Sequence, residues 1–185
     1  QNERALTIDI EISPGKTNRA KLNRSPVPRV RDILGIVRVI MFAPEDLALV
    51  KGDPNERRNF MDQTLIQRTP KFLGVKSDYE KVLRQRNALL KSSNRENIDS
   101  TLQVWNDQLA QLGAEITYSR IQFIRELTPF ICTRYNLISG GENAVSASEI
   151  SLTSQAKYLT GGDLESLTRD DIKEHILEQL GVLKK

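Results

Sequence analysis

Three observations predict an α+β fold in which antiparallel strands lead into a mainly helical arm. Residues 5–12 alternate apolar and polar side chains, the two-residue period of a strand. From residue 44 onward the period lengthens to that of helices, and apolar residues from Ile98 to Ile116 recur at heptad spacing. Ser92 to Asn94 is a short polar link, which folds the helices on either side into a long antiparallel hairpin.

Taken in order, Leu6, Ile8, Ile10 and Ile12 share one face of the first segment and Thr7, Asp9 and Glu11 the other, as in a half-buried strand. Ser13-Pro14-Gly15 marks a turn, and residues 19–24 return as the second strand of a hairpin. Pro26 and Pro28 make the next link irregular. Ile36 to Phe42 is a β-branched apolar run, which predicts a buried strand. Pro44-Glu45-Asp46 opens a short helical turn through Val50. Asp53-Pro54-Asn55-Glu56 then combines a capping aspartate, a proline at the first helical position and a glutamate placed to reach back to the cap's N–H. That helix runs to about Pro70. Ser77-Asp78-Tyr79-Glu80 reads as a second capping box, starting a helix through about Lys91 with Tyr79, Val82, Leu83, Leu89 and Leu90 on its apolar side.

In the longest helix, Ile98, Leu102, Trp105, Leu109, Leu112 and Ile116 form a seam that resumes at Phe123, Leu127 and Phe130. A helix over 97–136 is roughly 60 Å long at 1.5 Å per residue, and Pro129 predicts a kink because it removes a backbone donor. Trp105 and Cys132 read as core. Ile138-Ser139-Gly140-Gly141 ends the helix with a glycine cap, and Val145 to Leu152 reads as a strand. Thr168-Arg169-Asp170-Asp171 starts a last helix with Ile172, Ile176, Leu177 and Leu180 inward and His175 on a solvated face.

Composition removes several function classes. Hydrophobic residues are 38% and charged residues 28% of 185, an ordinary soluble balance. The longest apolar run, Leu34 to Ala43, is broken by Arg38 and falls short of the ~20 residues that span a bilayer. A single cysteine excludes an internal disulfide, and a single histidine excludes Cys/His zinc sites. Residues 1–95 carry 19 basic and 11 acidic side chains, and residues 96–185 carry 8 and 13. Such asymmetry fits either an anionic partner for the basic half or a bipolar surface that pairs with itself.

Two motifs mislead. Gly15-Lys16-Thr17 imitates the end of a phosphate-binding loop, but Ile10 stands where that loop needs its first glycine, and the motif lies in a hairpin rather than between strand and helix. Ser139-Gly140-Gly141-Glu142 imitates the signature of ABC-type ATPases, yet it follows a helix, where the signature must precede one. The informative stretch is Pro44-Glu45-Asp46, Leu49-Val50-Lys51-Gly52-Asp53-Pro54 and Arg57-Arg58-Asn59-Phe60-Met61-Asp62. Arg57 and Arg58 lie early in a helix, where cations oppose the dipole. Either a tertiary carboxylate or a phosphate offsets them.

This stretch resembles the RecF family of bacterial DNA replication and repair proteins, as do Ser77-Asp78-Tyr79-Glu80-Lys81-Val82-Leu83 and Gln85-Arg86-Asn87-Ala88-Leu89-Leu90-Lys91. The resemblance implies an ABC-type ATPase head with a short helical arm, akin to the SMC and Rad50 ATPases. Residues 1–43 are then the β part of the head (lobe I), 44–139 the helical arm (domain II), and 140–185 a return strand and helix toward the head. Gln1 and Lys185 read as the ends of a central piece, with the phosphate loop before it and the signature and catalytic carboxylate strand after it. On that reading the chain is not itself an enzyme, whereas the intact protein is a weak DNA-dependent ATPase. The resemblance further implies ATP and magnesium as cofactors of the intact protein, ATP-dependent homodimerisation, and binding to DNA at gaps and single/double-strand junctions. RecO and RecR are the implied partners in loading RecA, in a cytoplasmic, nucleoid-associated setting. Glu45 and Asp46 are the implied neighbours of the metal, and Lys51, Arg57 and Arg58 the DNA-binding candidates. The alternative is a helical protein–protein interaction module without direct DNA binding.

Overall fold

The computed structural model describes residues 5–41, 43–91, 98–139 and 166–182. They belong to two compact units, Gln1–Pro70 and Lys71–Lys185.

In the first unit, β1 (Ile8–Glu11) pairs antiparallel with β2 (Arg19–Leu22), and β2 with β3 (Ser25–Pro26). Ile8 stands opposite Leu22, Asp9 opposite Lys21, Ile10 opposite Ala20 and Glu11 opposite Arg19. The hairpin is the expected one. Gly15, at φ 74°, lies in its turn, where the Lys16 N–H donates to the Ser13 carbonyl at 3.1 Å. Gly15-Lys16-Thr17 is therefore a hairpin connection. Its burial differs from expectation. Ala20 is the buried residue of the hairpin, whereas Leu6, Ile10 and Ile12 are exposed, Ile12 at 76%. Alternation sorted the faces of β1 correctly, but the apolar one is only partly covered: Ala20, opposite Ile10, is buried and Ile8 half-buried, while the rest stays exposed.

The second correction concerns Ile36 to Phe42. Apart from a bridge between Leu34 and Val37, residues 36–41 form no strand, and Ile40 is 97% exposed. The Val39 N–H donates to the Gln67 side chain at 2.8 Å, so one of its backbone donors is spent on an amide rather than a ladder. Gly35, at φ 80°, brings this segment against Pro70; a Cβ there would lie 2.9 Å from Pro70 Cγ. Only glycine suits both the left-handed backbone and the close approach.

A 3-10 turn (Pro44–Leu47) leads into α1 (Ala48–Lys51), then α2 (Pro54–Arg68). The Asp53 carboxylate accepts the Asn55 N–H at 2.7 Å and Pro54 opens α2, the cap expected at this position.

The second unit holds α3 (Lys71–Lys91), α4 (Ile98–Ile138) and α5 (Arg169–Val182), with α4 packed against both others. Helix α3 begins six residues before Ser77, so Ser77-Asp78-Tyr79-Glu80 lies inside a helix rather than at its start. Burial of Phe72 recruits the preceding turn, a tertiary gain that outweighs local capping preference. The heptad seam is real: Leu102, Leu109, Ile116 and Phe123 are buried. Trp105 is half-buried, and Phe130 is 70% exposed, so the buried seam stops short of Pro129. On α3, Leu90 is also exposed. Across the α3–α4 contact, Arg86 Nε donates to Asn106 Oδ1 at 2.7 Å, both residues being buried. A Cβ on Gly113 would lie 3.2 Å from Ile176 and 3.3 Å from Tyr79, so α3 and α5 both close on α4 there.

Helix α5 opens where expected, and with a capping box. The Thr168 N–H and hydroxyl donate to Asp171 Oδ2 at 2.8 and 2.7 Å, and the Asp171 N–H donates to Thr168 Oγ1 at 3.2 Å. The Thr168 hydroxyl, then its backbone N–H, hold the Asp171 carboxyl below the usual aspartate value. Ile172 is fully buried. His175 is half-buried rather than solvated, with Nδ1 2.7 Å from the Asp171 carbonyl. Cys132 is buried, as expected. The strand expected at Val145 to Leu152, and Gly140 and Gly141, lie outside the described residues.

Candidate functional site

The stretch from Pro44 to Asp62 forms one folded motif within the first unit. Asp46 lies in the 3-10 turn, and its Oδ2 accepts the Ala43 N–H at 2.8 Å. The carboxylate thus caps the turn that carries it. Its neighbour Glu45 is exposed and makes no hydrogen bond or ion pair among the described residues. No three His, Cys, Asp or Glu side chains among the described residues gather as a metal-holding group. Of the two acids, Glu45 fits a hard cation better, because Asp46 already spends an oxygen on the backbone.

Arg57 resolves the conflict between its charge and its place near a helix start. Its Nη1 donates to the Leu49 carbonyl at 3.3 Å and the Gly52 carbonyl at 3.2 Å. These oxygens lie at the end of α1, where helical carbonyls lack intrahelical donors. Among the described residues, the protein groups that offset it are thus backbone carbonyls rather than a carboxylate. Arg57 ties the two helices of the motif together, and Lys51 projects from the exposed end of α1. Arg58 points elsewhere. Its Nη2 donates to Asn55 Oδ1 in the same helix, and the residue is exposed. Fifteen-residue α2 thus holds one half-buried and one exposed arginine side by side.

Two features were not singled out from sequence. Residues 5–41 hold seven basic and three acidic side chains, whereas residues 43–70 hold four and five. The basic excess of the first unit therefore lies on the hairpin and the link after it, not on the Pro44–Asp62 motif. All seven of those cations, from Lys16 to Arg38, are exposed. A window shorter than half the chain exposes this signal. The second feature is an open groove of about 680 Å3 in the helical unit, around Trp105 and lined by Lys81, Gln85, Asp107, Gln108 and Lys173. Heptad spacing placed Trp105 in the core; its ring instead forms part of a groove wall.

Among the described residues, no helix is long and apolar enough to cross a membrane. No family model matches the chain. Curated relatives do. The chain is 41% identical along its whole length to the DNA replication and repair protein RecF of Streptomyces avermitilis, covering 49% of that protein. It is 42% identical over 96% of its length to the protein of the same name from Kineococcus radiotolerans, covering 47% of it. Among solved structures, that of the recombination mediator protein RecF-ATP in the RecFOR pathway matches 95% of the chain with a TM-score of 0.71 at 20% identity, over 45% of its own length. The RecF-ATPrS structure matches with a TM-score of 0.69. The structural likeness shows the α+β fold, and the chain spans about half the length of the curated relatives it matches. By sequence along its entire length, the chain belongs to the RecF family of DNA replication and repair proteins.

Proposed function

We propose that this chain is the central part of a RecF protein that binds ATP and DNA and acts with RecO and RecR to load RecA at single-stranded gaps. One observation carries the reading: the identity to curated RecF proteins extends over the whole chain. On this reading residues 1–43 are head, 44–139 arm and 140–185 a return toward the head. ATP and magnesium sit in the intact head, which dimerises around the nucleotide, and ATPase chemistry rests on segments other than these. Glu45 is the better-placed acid to approach magnesium or its water, with Asp46 holding the turn. Lys51 and Arg58 are the exposed candidates for DNA phosphate, and Arg57 positions them through the end of α1.

The test is a titration of the full-length protein against gapped and blunt duplex at two salt concentrations. The expected result is salt-dependent binding with preference for the gap, and in Arg58→Glu a log–log salt slope shallower by about 0.9, the loss of one phosphate contact. Absence of DNA binding by the full-length protein overturns the reading. It favours instead the helical interaction module, for which the groove around Trp105 is the docking place.

A further inference from the structure

We propose that the exposed face of β2 and its two turns, carrying Lys16, Arg19, Lys21 and Arg24, is a contact surface for nucleic-acid backbone phosphates, distinct from the Pro44–Asp62 motif. The proposal rests on DNA being the ligand of the intact protein, and it adds where the backbone lies.

Four observations carry it. First, charge: the hairpin and its following link hold the basic excess of the first unit, while residues 43–70 are slightly acidic. The one acid of the link, Asp32, is already engaged, its Oδ2 accepting the Arg29 N–H at 3.1 Å. Second, direction: Ala20 is the buried residue of β2, and β2 packs against the 3-10 turn at Val30–Ile33. Strand alternation therefore sets Arg19 and Lys21 together on the opposite, exposed side. Their spacing along the strand is about 6.7 Å, two residues of rise. Lys16 and Arg24 extend the row into the turns at either end of β2.

Third, the backbone at Arg24. The two-residue turn between β2 and β3 has Asn23 at φ 49° and Arg24 at φ 69°. Turns with both residues at positive φ favour Asn-Gly. Asn23 suits the first of these positions and is further held to the residue before β1, its N–H donating to the Thr7 carbonyl at 2.8 Å and its Oδ1 accepting the Thr7 N–H at 3.0 Å. Arg24 occupies the position glycine suits best, and a bulky residue held there is a pointer to function rather than to folding. Fourth, availability. Arg24 is exposed and makes no side-chain hydrogen bond or ion pair among the described residues.

Asp9 and Glu11 stand opposite Lys21 and Arg19 in the β1–β2 register. Directly opposite residues project on one face, so these two carboxylates share the surface with Lys21 and Arg19 and offset part of their charge, which leaves Lys16 and Arg24 as its cations without an acid opposite.

The experiment measures DNA affinity of the full-length protein between 50 and 200 mM salt, with the unfolding midpoint recorded for each variant. Arg24→Gly separates the two roles of the residue, because glycine relaxes the turn while removing the cation. The expected result is an unfolding midpoint equal to or above that of the parent, with a salt slope shallower by about 0.9. The affinity deficit is then about 3.5-fold larger at the low salt than at the high. The double variant Lys21→Gln, Arg24→Gly lowers the slope by about 1.8, and Asp9→Asn tightens binding. If the parent protein binds DNA and both hairpin variants keep its affinity and slope, this surface is overturned and the DNA reading stands. If the parent binds no DNA, both fall.

Discussion

Within the described residues, the unit 71–185 buries eleven apolar side chains, among them Phe72, Leu102, Leu109, Phe123 and Ile172, whereas the unit 1–70 buries two, Ala20 and Leu65. The first unit instead exposes Leu6, Ile10, Ile12 and most of residues 36–41. The same apolar vocabulary has thus been put to two uses. In the helical unit each apolar stripe meets another stripe of the same chain, so the elements stabilise one another. In the strand unit the geometry is fixed by turns, caps and single hydrogen bonds, including Gln67 to Val39 and Arg57 to the end of α1. Interior packing and polar bracing respond differently to substitution.

The largest effect is therefore expected in the helical unit. Leu109 is 4% exposed at the centre of the seam, and Leu109→Ala is expected to cost about 2–5 kcal/mol through lost burial and the cavity left behind. Urea unfolding followed by far-ultraviolet circular dichroism measures it. A cost under about 1 kcal/mol breaks the contrast between the units. Next is Gly35→Ala, which places a Cβ 2.9 Å from Pro70 at φ 80° and is expected to cost about 1–2 kcal/mol from the left-handed backbone alone. Its signature is local: faster amide exchange at Val39 and along the end of α2, with the helical unit unchanged. Smallest is a pH effect in α5. The Asp171 carboxyl sits below its ordinary value of 3.8, held there by the Thr168 hydroxyl and then its N–H. A group with a depressed folded value contributes above its unfolded value and loses that contribution as pH falls through the folded one. The first turn of α5 is expected to fray below about pH 4, read by amide exchange of residues 169–172, and Asp171→Asn is expected to abolish the pH dependence.

The helices were legible in the sequence because their signals are redundant. Heptad spacing from Leu102 to Phe123, the Asp53-Pro54 start and the Thr168–Asp171 box each state a local requirement that the fold meets. Ser77-Asp78-Tyr79-Glu80 states one too, but Phe72 is buried ahead of it, and burial of one large ring exceeds the worth of a cap. The run Ile36 to Met41 declares that it prefers cover without naming what covers it, since a strand needs a neighbour that its own residues do not encode. At the candidate site the sequence showed that Arg57 needed an electronegative partner. It did not show that the partner was the backbone of the preceding helix, because carbonyl oxygens have no letter in the sequence. Three further candidates of the motif, Glu45, Lys51 and Arg58, are exposed.

Gly113 has a mechanical meaning. Helix α4 runs unbroken through 41 residues, and at this residue Tyr79 of α3 and Ile176 of α5 converge on the single position a Cβ would occupy. From that point to Ile138 the helix continues for 25 residues, with Pro129 inside it. The three helices thus meet closely where α4 carries no side chain to hold them apart, between the Arg86–Asn106 contact on one side and the Ile121–Ile172 cluster on the other. Alanine there sets a methyl group 3.2 Å from Ile176 and 3.3 Å from Tyr79, so both neighbouring helices give way by a few tenths of an ångström or the close approach is lost.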